Sequence, residues 1–549
     1  MSSTNIDNTQ VYQGFIVKPI QIPTPVGIIE KPYIFIKKDE SDPIITSMIN
    51  TLQDITELEE LYDSEIQISP QDLYPHLKTI QSKVDAGDFN MIEILVYLNE
   101  YFKSKLEQLE NMSKSNKINF DNLNTVFTVG TKFIGYIHNN QMVGSMVQGT
   151  EVIRTMQGRM FQITGVCNMP IGTELKQITK NFYIQEFGGV RSIEDLEVRP
   201  MNHEDEEFLK ARGEIFRKFS IGTHYWGYQG NMCVKSMYGY QHFKADGRIM
   251  IDSTGFDKTN PSYLNSHKSN SSKLHSINEE NITMCWPYLY GFSFTAKRWG
   301  ELYIDHMKEI KFDDNAFDYL VLDPNIKCMM KSLIVNVKHS FKDIIGGKSG
   351  GCIFLLHGPP GVGKTLTCEA VAELLHKPLY SITVGELGTD VDTLETRLNN
   401  ILEIANSWDA VILIDEADIF MEARNKNDIE RNGMVSIFLR LLERHQGVMF
   451  LTTNRNQDLD PAFKSRISII IGYEDLDIAS RTKVWTNLLN AASIQMSLDD
   501  IQTLSGYNVN GRQIKNLIRM AQSMIIDKEY NPESRKLEMK DIELMMKFM

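Results

Sequence analysis

Cysteine is scarce in this chain. Six occur among 549 residues, and no two are spaced as Cys-x-x-Cys. A disulfide framework and a zinc site are therefore not expected, and reduced thiols in an intracellular, most simply cytoplasmic, protein are. Long apolar runs are missing as well. None approaches the roughly 18 residues that read as a membrane span. The start, Met1-Ser2-Ser3-Thr4-Asn5-Ile6-Asp7, lacks a basic segment followed by an apolar one, so no secretory leader is expected. Positive charge is in deficit, with 57 Lys and Arg against 71 Asp and Glu and a net charge of −14. That balance counts against a surface that coats nucleic acid, although a local basic groove would not register in the sum. No DNA-binding motif and no internal repeat are visible.

What is present suits a globular protein, with 42% hydrophobic and 23% charged residues. The length exceeds one ordinary core and implies two to four domains. Residues 1–44 hold several prolines and read as an extended arm. Residues 45–119 read as a small helical segment and a polar linker, with Leu52, Ile55, Leu58, Leu61 and later Ile92, Leu95, Leu98 and Leu106 near helical spacing. Residues 120–311 read as β-rich. Runs such as Val126-Phe127-Thr128-Val129, Phe133 to Ile137 and Met160 to Ile163 are broken by glycine and asparagine, one helix is expected from Glu204 to Phe219, and 258–280 reads as a mobile loop. From Phe312 apolar runs alternate with helical stretches. This pattern implies an α/β core with a parallel sheet over 312–474, followed by a helical lid over 475–549.

The sharpest local signal is Gly358-Pro359-Pro360-Gly361-Val362-Gly363-Lys364-Thr365. It follows the apolar run Ile353 to Leu356 and opens a helix at Leu366. Three glycines let the backbone turn its N–H groups inward on a polyphosphate, and a helix N-terminus adds partial positive charge. Lys364 can reach the β- and γ-phosphates, and the Thr365 hydroxyl can ligate Mg²⁺. Downstream, Val411-Ile412-Leu413-Ile414-Asp415-Glu416-Ala417-Asp418 is a buried strand that ends in carboxylates. There Asp415 would orient the metal and Glu416 would act as general base on the attacking water. The plain alternative is a helix with an acidic first turn. A third strand, Val448 to Leu451, ends in Thr452-Thr453-Asn454-Arg455, whose polar groups could hold water or the γ-phosphate. Arg466 precedes a further apolar run, Ile467 to Ile471, where a solvated charge is the plain reading.

These motifs, in this order, resemble an AAA+ ATPase from about Phe312 to Met549. The resemblance implies a five-stranded parallel sheet with a helical lid, ATP and Mg²⁺ as ligands, and a ring of subunits, commonly six. It implies that Lys364 and Thr365 serve phosphate and Mg²⁺, Asp415 and Glu416 are the metal and catalytic carboxylates, and Asn454 is a sensor. Arg466 would be an arginine finger for the neighbouring subunit, and Arg512, in Asn510-Gly511-Arg512-Gln513, would face the nucleotide in cis. Tyr319-Leu320-Val321 would hold adenine. Gly247 to Asp252, Tyr290-Gly291-Phe292-Ser293, Trp299, Gly385-Glu386-Leu387-Gly388 and Phe420 to Arg424 resemble a subgroup from filamentous fungi and large DNA viruses with a β-rich N-terminal domain. The implied function is ATP hydrolysis coupled to remodelling of a partner protein recognised through that domain. The alternatives are a nucleic-acid motor or loader, and a nucleotide-gated scaffold with negligible turnover. Two departures stand out. The first pore loop, Gly388 to Asp392, has no aromatic to grip a threaded chain, and one arginine stands where many relatives have two.

Overall fold

The computed structural model describes the chain except residues 1–8, 25–26, 40, 57, 64, 104–114, 157, 238, 269–270, 336–350, 389, 422–428, 455–460, 527–535 and 549. Expectations that touch Leu106, Thr389, Glu422 to Arg424 and Arg455 lie outside the described residues. The chain forms two compact units. One comprises Met1–Ser220 with Leu264–Pro287, the other Ile221–Tyr263 with Tyr288–Met549.

In the first unit, residues 10–37 are not an extended arm. Strands Gln10–Tyr12, Phe15–Thr24, Gly27–Lys37 and Glu65–Ile68 form an antiparallel sheet. Alternate residues Phe15, Val17, Ile34, Ile36, Ile66 and Ile68 enter one core with Met48 and Leu52 of helix Pro43–Ile55, Ile80 of helix Leu77–Asp85, and Ile94 and Leu98 of helix Ile92–Tyr101. The prolines that suggested an arm sit where they cost little. Pro19 faces Pro32 and Pro23 faces Ile28 in the distal half of the hairpin, beyond the residues that the outer strands pair. A proline there removes no ladder bond to a third strand.

A six-stranded antiparallel sheet follows, ordered Arg199–Pro200, Lys132–Ile137, Gln141–Thr155, Gly158–Ile171, Glu174–Gln185, Ser271–Leu274. Two expectations are corrected here. Residues 123–126 are a short helix rather than a strand. Within 258–280, Ser271–Leu274 pairs with Leu175 to Ile178 as the edge strand. Its polar sequence, Ser-Ser-Lys-Leu, suits an edge and hides the strand from a hydrophobicity pattern. The helix expected at Glu204 runs His203–Phe219 and starts at a capping box in which Asn202 and Asp205 exchange hydrogen bonds.

The expected 120–311 domain is divided. Residues 223–252 and 288–308 form a seven-stranded antiparallel sheet that belongs to the second unit. The reason is packing. Met250 and Phe292 of that sheet share a core with Leu355, Ile382, Ile412 and Leu451, so the sheet has no separate interior there. Phe292, Trp299, Tyr380 and Trp408 cluster with ring centroids 5.4 to 5.8 Å apart, Phe292 stacked on Tyr380 and the other pairs tilted or edge-on. Buried Asp252 accepts from Trp408 Nε1 at 2.8 Å.

The heart of the second unit is a parallel sheet of β1 (Cys352–His357), β2 (Leu379–Thr383), β3 (Val411–Asp415), β4 (Val448–Thr453) and β5 (Ile469–Gly472), in the order β2-β3-β4-β1-β5. The strands are apolar throughout because both faces are covered. Ile353, Leu355, Ile412, Ile414, Met449 and Leu451 enter one core with helices Val391–Ser407 and Ile429–Leu442. Phe354, Leu356, Val411, Leu413, Val448 and Phe450 enter the other, which includes Cys368, Val371 and Ala372 of the helix after β1. Successive residues alternate between the two, as the period of a strand requires. Helices Ile478–Ala491, Leu498–Ser505, Gly511–Ile526 and Met539–Met546 share a core of their own around Trp485, Leu504, Ile514, Leu517 and Ile542.

Candidate functional site

In a parallel sheet, ligands gather at the carboxyl ends of the strands where the strand order switches direction. Here β1, β3 and β4 end side by side, and each ends in one of the polar motifs. The glycine-rich loop leaves β1 at His357 and enters helix Lys364–Leu375. Gly358, Gly361 and Gly363 have φ of 144°, 81° and 106°, values that favour glycine. Their surroundings differ. A Cβ on Gly358 would stand 2.3 Å from the Tyr473 carbonyl, and one on Gly361 2.6 Å from the Asn510 side chain. At Gly363 a Cβ would meet nothing within 4 Å. The first two glycines thus permit close packing, while the third keeps the loop bare at the helix N-terminus. A bare glycine loop with a cation at a helix N-terminus fits a polyphosphate.

Lys364 is 8% exposed. Its Nζ donates to the carbonyls of Gly358 and Pro359 at 2.7 and 2.8 Å and to Asn454 Oδ1 at 2.9 Å. The last bond joins the loop to the end of β4, 90 residues on. Burial lowers the Lys364 pKa, and the positive charge of Arg512 adds to that, while Asp415, Asp418 and Glu416 oppose it. Thr365 is half-buried on the same turn, and Leu366 is exposed.

The carboxylates of β3 are fixed from β4. Thr452 Oγ1 donates to Asp415 Oδ1 and accepts from the Glu416 N–H, and Thr453 Oγ1 donates to Asp418 Oδ1. Glu416 itself is exposed and has φ of 56°, a left-handed conformation that costs an ordinary residue roughly 1–2 kcal/mol. Strain of this kind persists where surrounding bonds impose it and gathers at functional sites.

The lid meets the loop directly. Gly511 N donates to the Gly361 carbonyl at 3.0 Å, at the start of helix Gly511–Ile526, and Asn510 and Gln513 exchange hydrogen bonds that cap this helix. Arg512 is exposed on its first turn. The Tyr319 carbonyl accepts from Asn487 at 2.8 Å, which links the expected adenine segment to lid helix Ile478–Ala491.

Arg466 stands apart from these groups. Its guanidinium donates to the Glu443 carboxylate and to the Ala462 carbonyl at 2.7 Å. Ser468 pairs with Ile353 near the start of β1, and β5 runs parallel to β1. Arg466 is therefore at the opposite end of β1 from the glycine loop, about 20 Å away at ~3.3 Å per strand residue.

Two features of the site went unread in the sequence. One is the use of Thr452 and Thr453 as anchors for the acidic turn. Two hydroxyls inside a buried strand, beside a strand that ends in acids, were the available signal. The other is Glu373, near the end of the helix that begins at Lys364. It pairs with Arg248 of the seven-stranded sheet at 2.6 Å and accepts from Asp313 N at 3.1 Å. No local pattern marks that pair, because its members lie 125 residues apart.

Fold and site together define a P-loop nucleotide-binding domain with a helical lid. Residues 354–475 match the family model described as "ATPase family associated with various cellular activities (AAA)", so this part of the chain is an AAA-type domain. Residues 108–205 match a domain family of unknown function, DUF7025. Among curated proteins the chain is similar to "Lon protease homolog, mitochondrial" of Scheffersomyces stipitis, with 26% identity over 32% of this chain and 20% of that protein. It is similar to "Outer mitochondrial transmembrane helix translocase" of Xenopus tropicalis, with 26% identity over 34% of this chain and 55% of that protein. Both matches thus span less than two thirds of the relative's own length. A solved structure, "Crystal structure of FIGL-1 AAA domain in complex with ADP", aligns with a TM-score of 0.35 and 19% identity, over 44% of this chain and 86% of that chain. Among the described residues no helix is long and apolar enough to cross a membrane.

Proposed function

We propose that this protein binds ATP with Mg²⁺, hydrolyses it, and uses the cycle to remodel a partner protein. The observation that carries the reading is the hydrogen-bonded convergence at the strand ends, where Lys364 bonds Asn454 and the Thr452 hydroxyl of β4 holds Asp415 and the Glu416 N–H. The loop from Gly358 to Leu366 cradles the phosphates. Lys364 and Arg512 set a positive field there, and Thr365 and Asp415 are the oxygen donors for Mg²⁺, which would neutralise charge on the phosphate oxygens. Glu416 takes a proton from the water whose oxygen bonds to the γ-phosphorus. The bond from that phosphorus to the bridging oxygen breaks, and ADP leaves with its electron pair. The relatives named as a protease and a helix translocase act on protein chains by their names, which favours a protein over a nucleic acid as the remodelled partner. The net charge of −14 points the same way.

Lys364→Ala tests the cradle. It removes a buried cation whose partners are loop carbonyls and Asn454. Fluorescent ATP binding and phosphate release are both expected to fall to background, while thermal unfolding without nucleotide shows an intact fold. Retained tight binding would move the phosphate site elsewhere.

A further inference from the structure

We propose that Thr452 is a positioning residue for the acidic turn, and that its hydroxyl, not its bulk, does this. The inference rests on the ATPase reading and adds a residue to it. Thr452 is 1% exposed, the last residue but one of a strand that is buried along its whole length. Its neighbours upstream, Val448 to Leu451, are apolar, and a valine would fill the same space. Instead the side chain carries one proton and two lone pairs, and the structure gives a partner to the proton and to one lone pair. The proton goes to Asp415 Oδ1, and the lone pair receives the Glu416 N–H at 3.0 Å. The Thr452 carbonyl then accepts from Ala417 N at 2.9 Å. One residue of β4 therefore holds three successive residues of the turn after β3.

The consequence is directional. With one lone pair of Oδ1 engaged by Thr452, the carboxylate of Asp415 has a fixed rotation and presents its other oxygen elsewhere. With its N–H tied, Glu416 stays at φ 56°, and its side chain leaves the turn at one angle. Thr453 lies on the opposite side of the strand, since successive residues alternate, and its hydroxyl holds Asp418 at the far end of the turn. Groups that orient metal ligands in this way are worth about 10–100-fold in metal affinity or activity when lost.

The test compares Thr452→Val, which keeps the shape and loses both bonds, with Thr452→Ser, which keeps both bonds and loses a methyl group. The first readout needs no turnover: Mg²⁺ is titrated against binding of a fluorescent ATP analogue. Thr452→Val is expected to raise the Mg²⁺ concentration at half-maximal effect about tenfold, while binding without Mg²⁺ stays as in the wild type. In steady state its kcat is expected to fall about 10–100-fold, with KM for ATP at saturating Mg²⁺ changed less than about threefold. Thr452→Ser is expected to restore both. If Thr452→Val does not fold, Thr452→Ala removes the same hydroxyl and carries the same expectation. A Val variant with wild-type Mg²⁺ dependence and kcat overturns the inference, and so does a Ser variant as impaired as Val, because packing would then explain the residue. Lys364→Ala separates the two levels. If it binds ATP like the wild type, the ATPase reading fails and this inference with it. If it does not bind, and Thr452→Val behaves as wild type, only the inference on Thr452 falls.

Discussion

Glu416→Gln is expected to leave ATP binding intact and to lower turnover by ~10²–10⁴, the usual worth of a positioned general base. The substitution keeps the size of the side chain and the Glu416 N–H bond to Thr452. It does not touch Lys364, the glycine loop or Asp415. Binding therefore survives, and only the acceptor for the water's proton is lost. The site makes this sharp because Glu416 is exposed at the strand end, so an amide there buries no unpaired group and the fold has no reason to suffer. Phosphate release under single-turnover conditions, alongside equilibrium binding of a fluorescent nucleotide, separates the two effects. Normal turnover would remove Glu416 from the chemistry. A parallel loss of binding would assign it to the cradle instead. The same variant holds ATP for long periods, so it is the form in which a partner protein should stay attached for capture.

The glycine loop and the acidic strand end were legible because their chemistry is written in consecutive residues. Three glycines, a lysine and a threonine at fixed spacing after an apolar run have few structural uses. Buried parallel strands likewise announce themselves as apolar runs, and Val411 to Ile414 and Val448 to Leu451 are both there. What was not legible depends on partners distant in sequence or on position within a sheet. The prolines at 19, 23 and 32 read as an arm because their cost depends on whether a third strand lies beside them, and a single strand's sequence does not say. Ser271–Leu274 is polar because it is an edge. The seven-stranded sheet looked like part of an N-terminal domain because its strands continue the β-rich pattern, yet Met250 and Phe292 complete the core around Leu355 and Ile412. Arg248 and Glu373 each read as ordinary surface charges until the fold pairs them.

Arg466→Ala is expected to lose most hydrolysis, on the order of 10³-fold as for arginine fingers in related phosphoryl transfer, while still binding ATP. Arg466 precedes β5 at the end of the sheet opposite the glycine loop, about 20 Å from it along β1, so it does not serve its own cradle. If it serves a phosphate at all, that phosphate lies in another subunit. Its present partner does not forbid this. The pair with Glu443 leaves the two side chains 27% and 54% exposed, and exposed pairs of this kind are worth ~0–1 kcal/mol, far less than a charge-assisted bond to a transferring phosphoryl group. Specific activity is then expected to rise with protein concentration as subunits assemble. The decisive experiment mixes Arg466→Ala with Lys364→Ala, each inactive alone. Some interfaces in a mixed assembly join an intact glycine loop to a neighbour's intact arginine, so part of the activity should return. A mixture that stays inactive while hetero-assembly is demonstrated, or a dilute monomer with full activity, would leave Arg466 as what its local sequence also allows: a charge at the head of an edge strand, held by Glu443.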